Sequence, residues 1–359
     1  MRVAICWHSI SGYMAACWRA LSQQPGVDLL VVTQRPDPRG ITPFDPSLVA
    51  GVQTALVDPE KFADPEGVHQ IVADFKPDVV VINGWFVPAF TRVAYSNRLT
   101  NARFVLPIDR PREYPAKDWI NRVRNRRLLS RMHIVFVTGE RCWAFARFLG
   151  VPESRIRRGT YGVDVERLSP LLARRAARTG GWPRSFVFMG RYAAEKGVDV
   201  LVDAYRDYRA GVEDPWPLVA CGRGELGPLL KSVPGIVDRG FVQPADQPAL
   251  LEEQAVFLMA SRFDPWPLVI VEACAAGLPV VCSNACGSAV EVVRPYDNGI
   301  QVATADAAAL ARGMTWMHQH HQRLPEMGAR SRALGAAYSA QLWAERWHEA
   351  FRDALAMPA

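Results

Sequence analysis

The chain has 359 residues, of which 49% are hydrophobic and 22% charged, and a formal net charge of +6. That length exceeds one ordinary core and predicts two domains, with the composition of a soluble globular protein. No run of 18 uninterrupted apolar residues is present, which excludes a membrane-spanning helix of the usual kind.

The opening "MRVAICWHSI" passes from one Arg into an alternating apolar run with no signal-type core or cleavage site. It reads as a first strand, and a cytoplasmic location is expected. Further strand-like runs follow at 28–34, 78–84, 103–108 and 133–139, then at 185–191, 217–223, 235–241, 255–261 and 279–284. Short, almost continuously apolar strands alternating with helices imply parallel sheets covered on both faces. Two sets of five predict an α/β fold of two doubly wound, Rossmann-like domains facing each other across a cleft. Ligands of such sheets bind beyond the carboxyl ends of the strands.

The positive charge is uneven: residues 1–160 carry a net +8 and the remainder −2. Much of the excess lies in "RPREYPAKDWINRVRNRRLLSRMH" (110–133), where Arg122, Arg124, Arg126, Arg127 and Arg131 surround Trp119, Ile120, Val123, Leu128 and Leu129. Such a segment can lie on an anionic membrane surface, which would place the protein peripherally at the inner face of the membrane. It can equally be a solvated helix face that buries its Leu and Trp. Nucleic acid is not an expected partner, because the aromatics do not interleave with the basic residues as stacking platforms.

The regular pattern breaks over 162–185, at Pro170, Gly180-Gly181 and Pro183, which sets domains of 1–162 and 163–339. The last segment, 340–359, carries Leu342, Trp343, Trp347 and Phe351 at helical spacing and is expected to complete the first domain. The seven cysteines are scattered and flanked by apolar residues, as buried reduced thiols are. Cys282 and Cys286 alone are close, and without further ligands nearby they make a poor metal site.

Four stretches of the second half carry chemistry. "GRYAAEKG" puts Arg191 and Lys196 after a strand, where two cations near a helix start would hold a diphosphate. "CGRGEL" supplies Gly222 and Gly224 for a close backbone approach, and "RGFV" offers Gly240, Phe241 and Val242 to a base. In "SRFDPWPLVIVEACAAGLPVV", Pro267 at the first helical position and Gly277 past the end bound a helix of about ten residues that is apolar all round. Glu272 sits inside that helix. A carboxylate there meets a fixed donor or waits for a ligand. The acidic "DVE" at 164–166 imitates a metal-binding pair but reads better as a helix N-cap with an acidic first turn.

These stretches, with "YGVDVERLSP" (161–170), "GFV" (240–242) and "GSAVEVV" (287–293), occur in the order found in the retaining GT-B glycosyltransferases of the family 4 type, the E-x7-E group, which the chain resembles densely over 160–300. The resemblance implies a retaining transferase that moves a sugar from a nucleotide-diphosphate donor, a UDP-sugar foremost, to a glycan or lipid-linked acceptor held by the first domain. It implies no cofactor and no metal. Arg191 and Lys196 would bind the diphosphate, Glu272 the ribose hydroxyls, and Asp264 the donor sugar. The amides of Leu268 and Val269 would face the phosphate, and Gly12, after the first strand, joins the donor-binding set.

Three residues depart from the family pattern. Asp264 replaces the usual Glu and withdraws the carboxylate by one C–C bond. Pro267 replaces a Gly and removes an N–H. Asn83 stands where members often carry a His, leaving His8 and Asp109 as substitute acid–base groups. The oxocarbenium-like sugar and departing diphosphate call for charge stabilisation on the leaving group, and no nucleophile for a double displacement is evident. Two other readings keep the fold: a sugar-nucleotide epimerase, and a non-catalytic protein that binds nucleotide sugars or membranes. A dehydrogenase would need three glycines after the first strand, where "HSISGYMAACWRAL" has one.

Overall fold

In the computed structural model, which describes residues 1–357, the strand-forming runs assemble into two parallel sheets. The first sheet contains β1 (Arg2–Ser9), β2 (Asp28–Gln34), β3 (Thr54–Val57), β4 (Val79–Ile82), β5 (Arg103–Ile108), β6 (Met132–Val137) and β7 (Ile156–Arg158), in the order β3-β2-β1-β4-β5-β6-β7. The second contains β8 (Phe186–Met189), β9 (Leu218–Cys221), β10 (Ile236–Asp238), β11 (Val256–Met259), β12 (Val280–Ser283) and β13 (Gly299–Val302), in the order β10-β9-β8-β11-β12-β13. Each sheet belongs to its own Rossmann-like α/β unit.

The sheets have seven and six strands rather than five each. The three strands not anticipated, β3, β7 and β13, all lie at sheet edges. An edge strand has one neighbour and can be short and polar, as "IRR" of β7 is, so it lacks the continuous apolar signature of an inner strand.

In β1, Val3, Ile5 and Trp7 point into one core of the first unit while Ala4 and Cys6 point into the other. This period of two is what a strand covered on both faces requires. The helix Ala340–Ala356 joins the first unit and closes the core beneath Val3 and Ile5 with Trp343, Trp347 and Phe351. Trp347 stacks on Phe136 of β6 at 4.1 Å between centroids, and its indole N–H donates to the Gly159 carbonyl at 2.9 Å. Positions 358 and 359 of the segment expected to complete this unit lie outside the described residues.

The second unit comprises Pro38–Pro43 and Val163–Ser339. Its start is more regular than its Pro and Gly content predicts, with helices at Val165–Leu168 and Pro170–Ala176. Asp164 caps the first of these by accepting the Arg167 N–H at 3.3 Å, the N-cap role expected of "DVE". All seven cysteines are free and buried, and among the described residues no helix is long and apolar enough to cross a membrane.

Candidate functional site

In the second unit the strand order reverses direction between β8 and β11, which opens a crevice beyond their carboxyl ends. The loop after β8 carries Arg191 and Lys196, and the loop after β11 carries Asp264. The structure brings Lys196 and Asp264 together, with Lys196 Nζ donating to Asp264 Oδ2 at 2.5 Å and both side chains largely shielded from solvent. Burial pushes the Asp264 carboxyl up from its ordinary value, against the pull of the Lys196 ammonium.

This contact depends on Gly197. Its φ of +66° turns the chain from the short 3-10 turn Ala194–Lys196 into the helix Val198–Gly211, and a Cβ there would lie 2.0 Å from the Ala260 carbonyl oxygen at the end of β11. A second brace comes from Arg262, whose guanidinium grips Asp199 through two hydrogen bonds of 2.5 and 2.6 Å and the Ala194 carbonyl at 2.9 Å. The Arg262 N–H donates to the Glu195 carbonyl at 2.8 Å. The two loops are thus tied at side chain and backbone. Arg191 stands at the solvent side of this group, half-exposed and paired with Glu195.

Asp264 is followed by a helix running Leu268–Ala275, shorter than the ten residues expected. Pro267 is its N-cap rather than its first helical residue. Leu268 and Val269 therefore occupy the first turn, where backbone N–H groups have no intrahelical acceptor and the helix dipole is positive. Gly277 follows the end with φ +72°. Leu268, Ile270, Val271, Ala273, Cys274 and Ala275 are buried, as an all-apolar helix requires.

Glu272 is partly buried on this helix and accepts a hydrogen bond from Gln247 Nε2 at 3.2 Å. Desolvation raises its carboxyl from 4.5 to about 7, opposed by that one amide and assisted by the negative Asp164. A single neutral donor leaves most of the carboxylate's accepting capacity unused. Glu272 therefore retains the capacity to accept further hydrogen bonds.

The glycine positions are shaped by the chain itself. A Cβ on Gly222 would meet the Gly190 carbonyl oxygen at 1.9 Å, and one on Gly224 the Tyr192 carbonyl oxygen at 2.4 Å. These residues let the loop after β9 lie against the loop that carries Arg191. Gly240 takes φ +64°, donates its N–H to Asp238 Oδ1 at 2.9 Å and accepts from the Gly222 N–H at 2.8 Å, with Phe241 and Val242 half-buried beyond it. Gly12 belongs to the first unit, where it begins the helix Gly12–Ser22 behind the N-cap Ser11. Sequence reasoning missed Gln247, Asp199 and Arg262. Arg262 lies within the stretch 261–281, but its partner is 63 residues away in sequence and only the fold pairs them.

The first unit holds a cavity of about 550 Å³ at the carboxyl ends of β4 and β5. Asn83 and Asp109 both line it, and Asp109 accepts the Tyr161 hydroxyl at 2.7 Å. His8 is exposed and packs edge-on against Phe62. His8 does not line the cavity, whereas Asp109 does.

Residues 10–162 match the model of the glycosyl transferase 4-like domain, and residues 183–320 match that of glycosyl transferases group 1. The two stretches together take in most of the chain, so each unit matches a glycosyltransferase domain model. A phosphatidyl-myo-inositol mannosyltransferase of Mycobacterium leprae is 33% identical over 159 residues, covering 42% of this chain and 41% of that protein. The chain spans less than half the length of the curated relatives it matches first. Among solved structures, sucrose-phosphate synthase from Thermosynechococcus elongatus superposes with TM-score 0.74 at 18% identity, covering 98% of each chain. Anabaena HepE in complex with UDP and glucose superposes with TM-score 0.76 at 16% identity, covering 98% of this chain and all of that one.

Proposed function

We propose that the protein is a retaining, metal-independent glycosyltransferase of the E-x7-E type, which moves a sugar from a nucleotide-diphosphate donor in the second unit to a glycan or lipid-linked acceptor held by the first. The observation that carries this reading is the joining of Lys196 to Asp264 at the β8/β11 switch point, with Glu272 eight residues further on the adjoining helix. Lys196 and Arg191 supply positive charge for a departing diphosphate, and the first-turn amides of Leu268 and Val269 add donors beside them. Glu272 accepts the ribose hydroxyls. Asp264, anchored by Lys196, takes a hydroxyl of the donor sugar.

Retention follows a front-face course in this proposal, in which the departing phosphate takes the acceptor proton as the acceptor attacks on the same side. A UDP-sugar is the leading donor, and the UDP bound by the structurally similar HepE supports testing it first. Thermal-shift screening against UDP, GDP and ADP, followed by turnover of their sugars with chelator present, tests the reading. Stabilisation by one nucleoside diphosphate and chelator-insensitive transfer with retained anomeric configuration are expected. A ligand at 100 times its dissociation constant stabilises by about 2.7 kcal/mol. Failure of every nucleotide to stabilise the wild type would overturn the assignment.

A further inference from the structure

The helix Pro115–Arg124 of the first unit faces the wrong way for a soluble protein. The one side chain it buries is Asp118, whose carboxylate is fully enclosed and held by Arg110 and by the Glu113 and Tyr114 N–H groups at 3.0 Å each. Its apolar side chains point out: Trp119 is 53% exposed, Ile120 62% and Val123 71%, with Phe86 nearby in the same surface region at 71%. The sequence allowed Trp119 to be buried. The structure corrects this, since Leu128 and Leu129 of the next helix are buried and Trp119 is not.

The same helix presents a second row. Lys117, Asn121 and Arg124, one turn apart, line the 550 Å³ cavity together with Phe86. Among the described residues neither Lys117 nor Arg124 has an ion-pair partner, and Asn125, which is buried and also lines the cavity, has an Nδ2 with no acceptor. Arg126 and Arg127 add exposed positive charge just beyond. This helix thus carries an exposed apolar row and a cationic row on a cavity, and the start of the next helix adds flanking arginines.

We propose that this face docks on an anionic lipid bilayer, with Trp119, Ile120 and Val123 entering the interfacial layer and the cavity receiving an anionic lipid head group through Lys117, Arg124 and Asn125. Charge decides the occupant: an apolar row set among unpaired cations fits phospholipid, where acyl and phosphate groups lie side by side. The inference deepens the function proposed above, because it makes the acceptor a lipid with a phosphate-bearing head group.

The test is co-flotation of the full chain with vesicles of phosphatidylcholine alone or mixed with phosphatidylglycerol, at low and high salt. Binding to the mixed vesicles at low salt, weakened by high salt, is expected. The variant Trp119→Ser/Ile120→Ser/Val123→Ser should lose more than about tenfold in binding, and Lys117→Ala/Arg124→Ala roughly thirtyfold. Both variants should keep the wild-type melting temperature and its shift with UDP, since every altered side chain is exposed. Absence of binding by the wild type, or equal binding by the serine variant, overturns the proposal. Stabilisation by soluble glycerol phosphate without vesicle binding would assign the cavity to a free phosphate and overturn it too. Vesicle binding requires no nucleotide and UDP stabilisation requires no vesicle, so this inference and the glycosyltransferase reading fail separately.

Discussion

Substituting Glu272→Gln should make the protein more stable and worse at binding its donor. The carboxyl is raised from 4.5 to about 7 because desolvation outweighs the single hydrogen bond from Gln247. A folded-state value above the unfolded one means the folded form holds its proton more tightly. The site therefore costs nothing below pH 4.5, and stability is lost progressively as pH rises through 7. At about 1.4 kcal/mol per unit, and allowing for the solvent that reaches the side chain, the cost above pH 8 is about 2–3 kcal/mol. An uncharged Gln keeps an acceptor for Gln247 and escapes that cost. For a unit of this size the gain corresponds to roughly 5–10 °C at pH 8 and to none at pH 4.

A ribose diol donates to the ionised carboxylate and lowers its pKa, so donor binding should release a proton near neutrality and weaken as pH falls below about 7. In Glu272→Gln that pH dependence should vanish, with UDP bound about 10–100-fold more weakly at pH 8, the loss expected when a charged acceptor becomes neutral. Differential scanning calorimetry across pH and titration calorimetry with UDP measure both effects. Equal melting temperatures at pH 8 combined with unchanged UDP affinity would refute the reasoning.

Two other substitutions probe the architecture around this site. Lys196→Ala leaves Asp264 enclosed without its cation and should cost about 3–5 kcal/mol, whereas Lys196→Ala/Asp264→Asn should be more stable than that single variant, with a coupling above about 1 kcal/mol in a double-mutant cycle. Additive effects would mean the pair is solvent-screened. Trp347→Ala removes the ring stacked on Phe136 and the donor to Gly159, and should cost about 3–5 kcal/mol by chemical denaturation while UDP still stabilises the second unit. Loss of the UDP effect in that variant would contradict the assignment of the helix Ala340–Ala356 to the first unit alone.

Local pattern determined the inner strands, the all-apolar helix around Glu272 and the N-cap at Asp164, because burial on both faces and capping are written in consecutive residues. The positions of Arg191, Gly222, Gly240 and Asp264 were legible for the same reason, since each follows a strand end that the apolar runs mark. Tertiary structure decided what those runs cannot encode. It supplied the edge strands β3, β7 and β13, whose single neighbour demands little of their composition. It joined Lys196 to Asp264 and Arg262 to Asp199 across adjacent strands, and gave Glu272 a partner in Gln247, contacts between residues 25 to 68 positions apart. It also turned the basic helix outward. Spacing alone made Trp119 equally a core or a surface residue, and the enclosed carboxylate of Asp118, paired with the partly exposed Arg110, sets which face of that helix meets the protein.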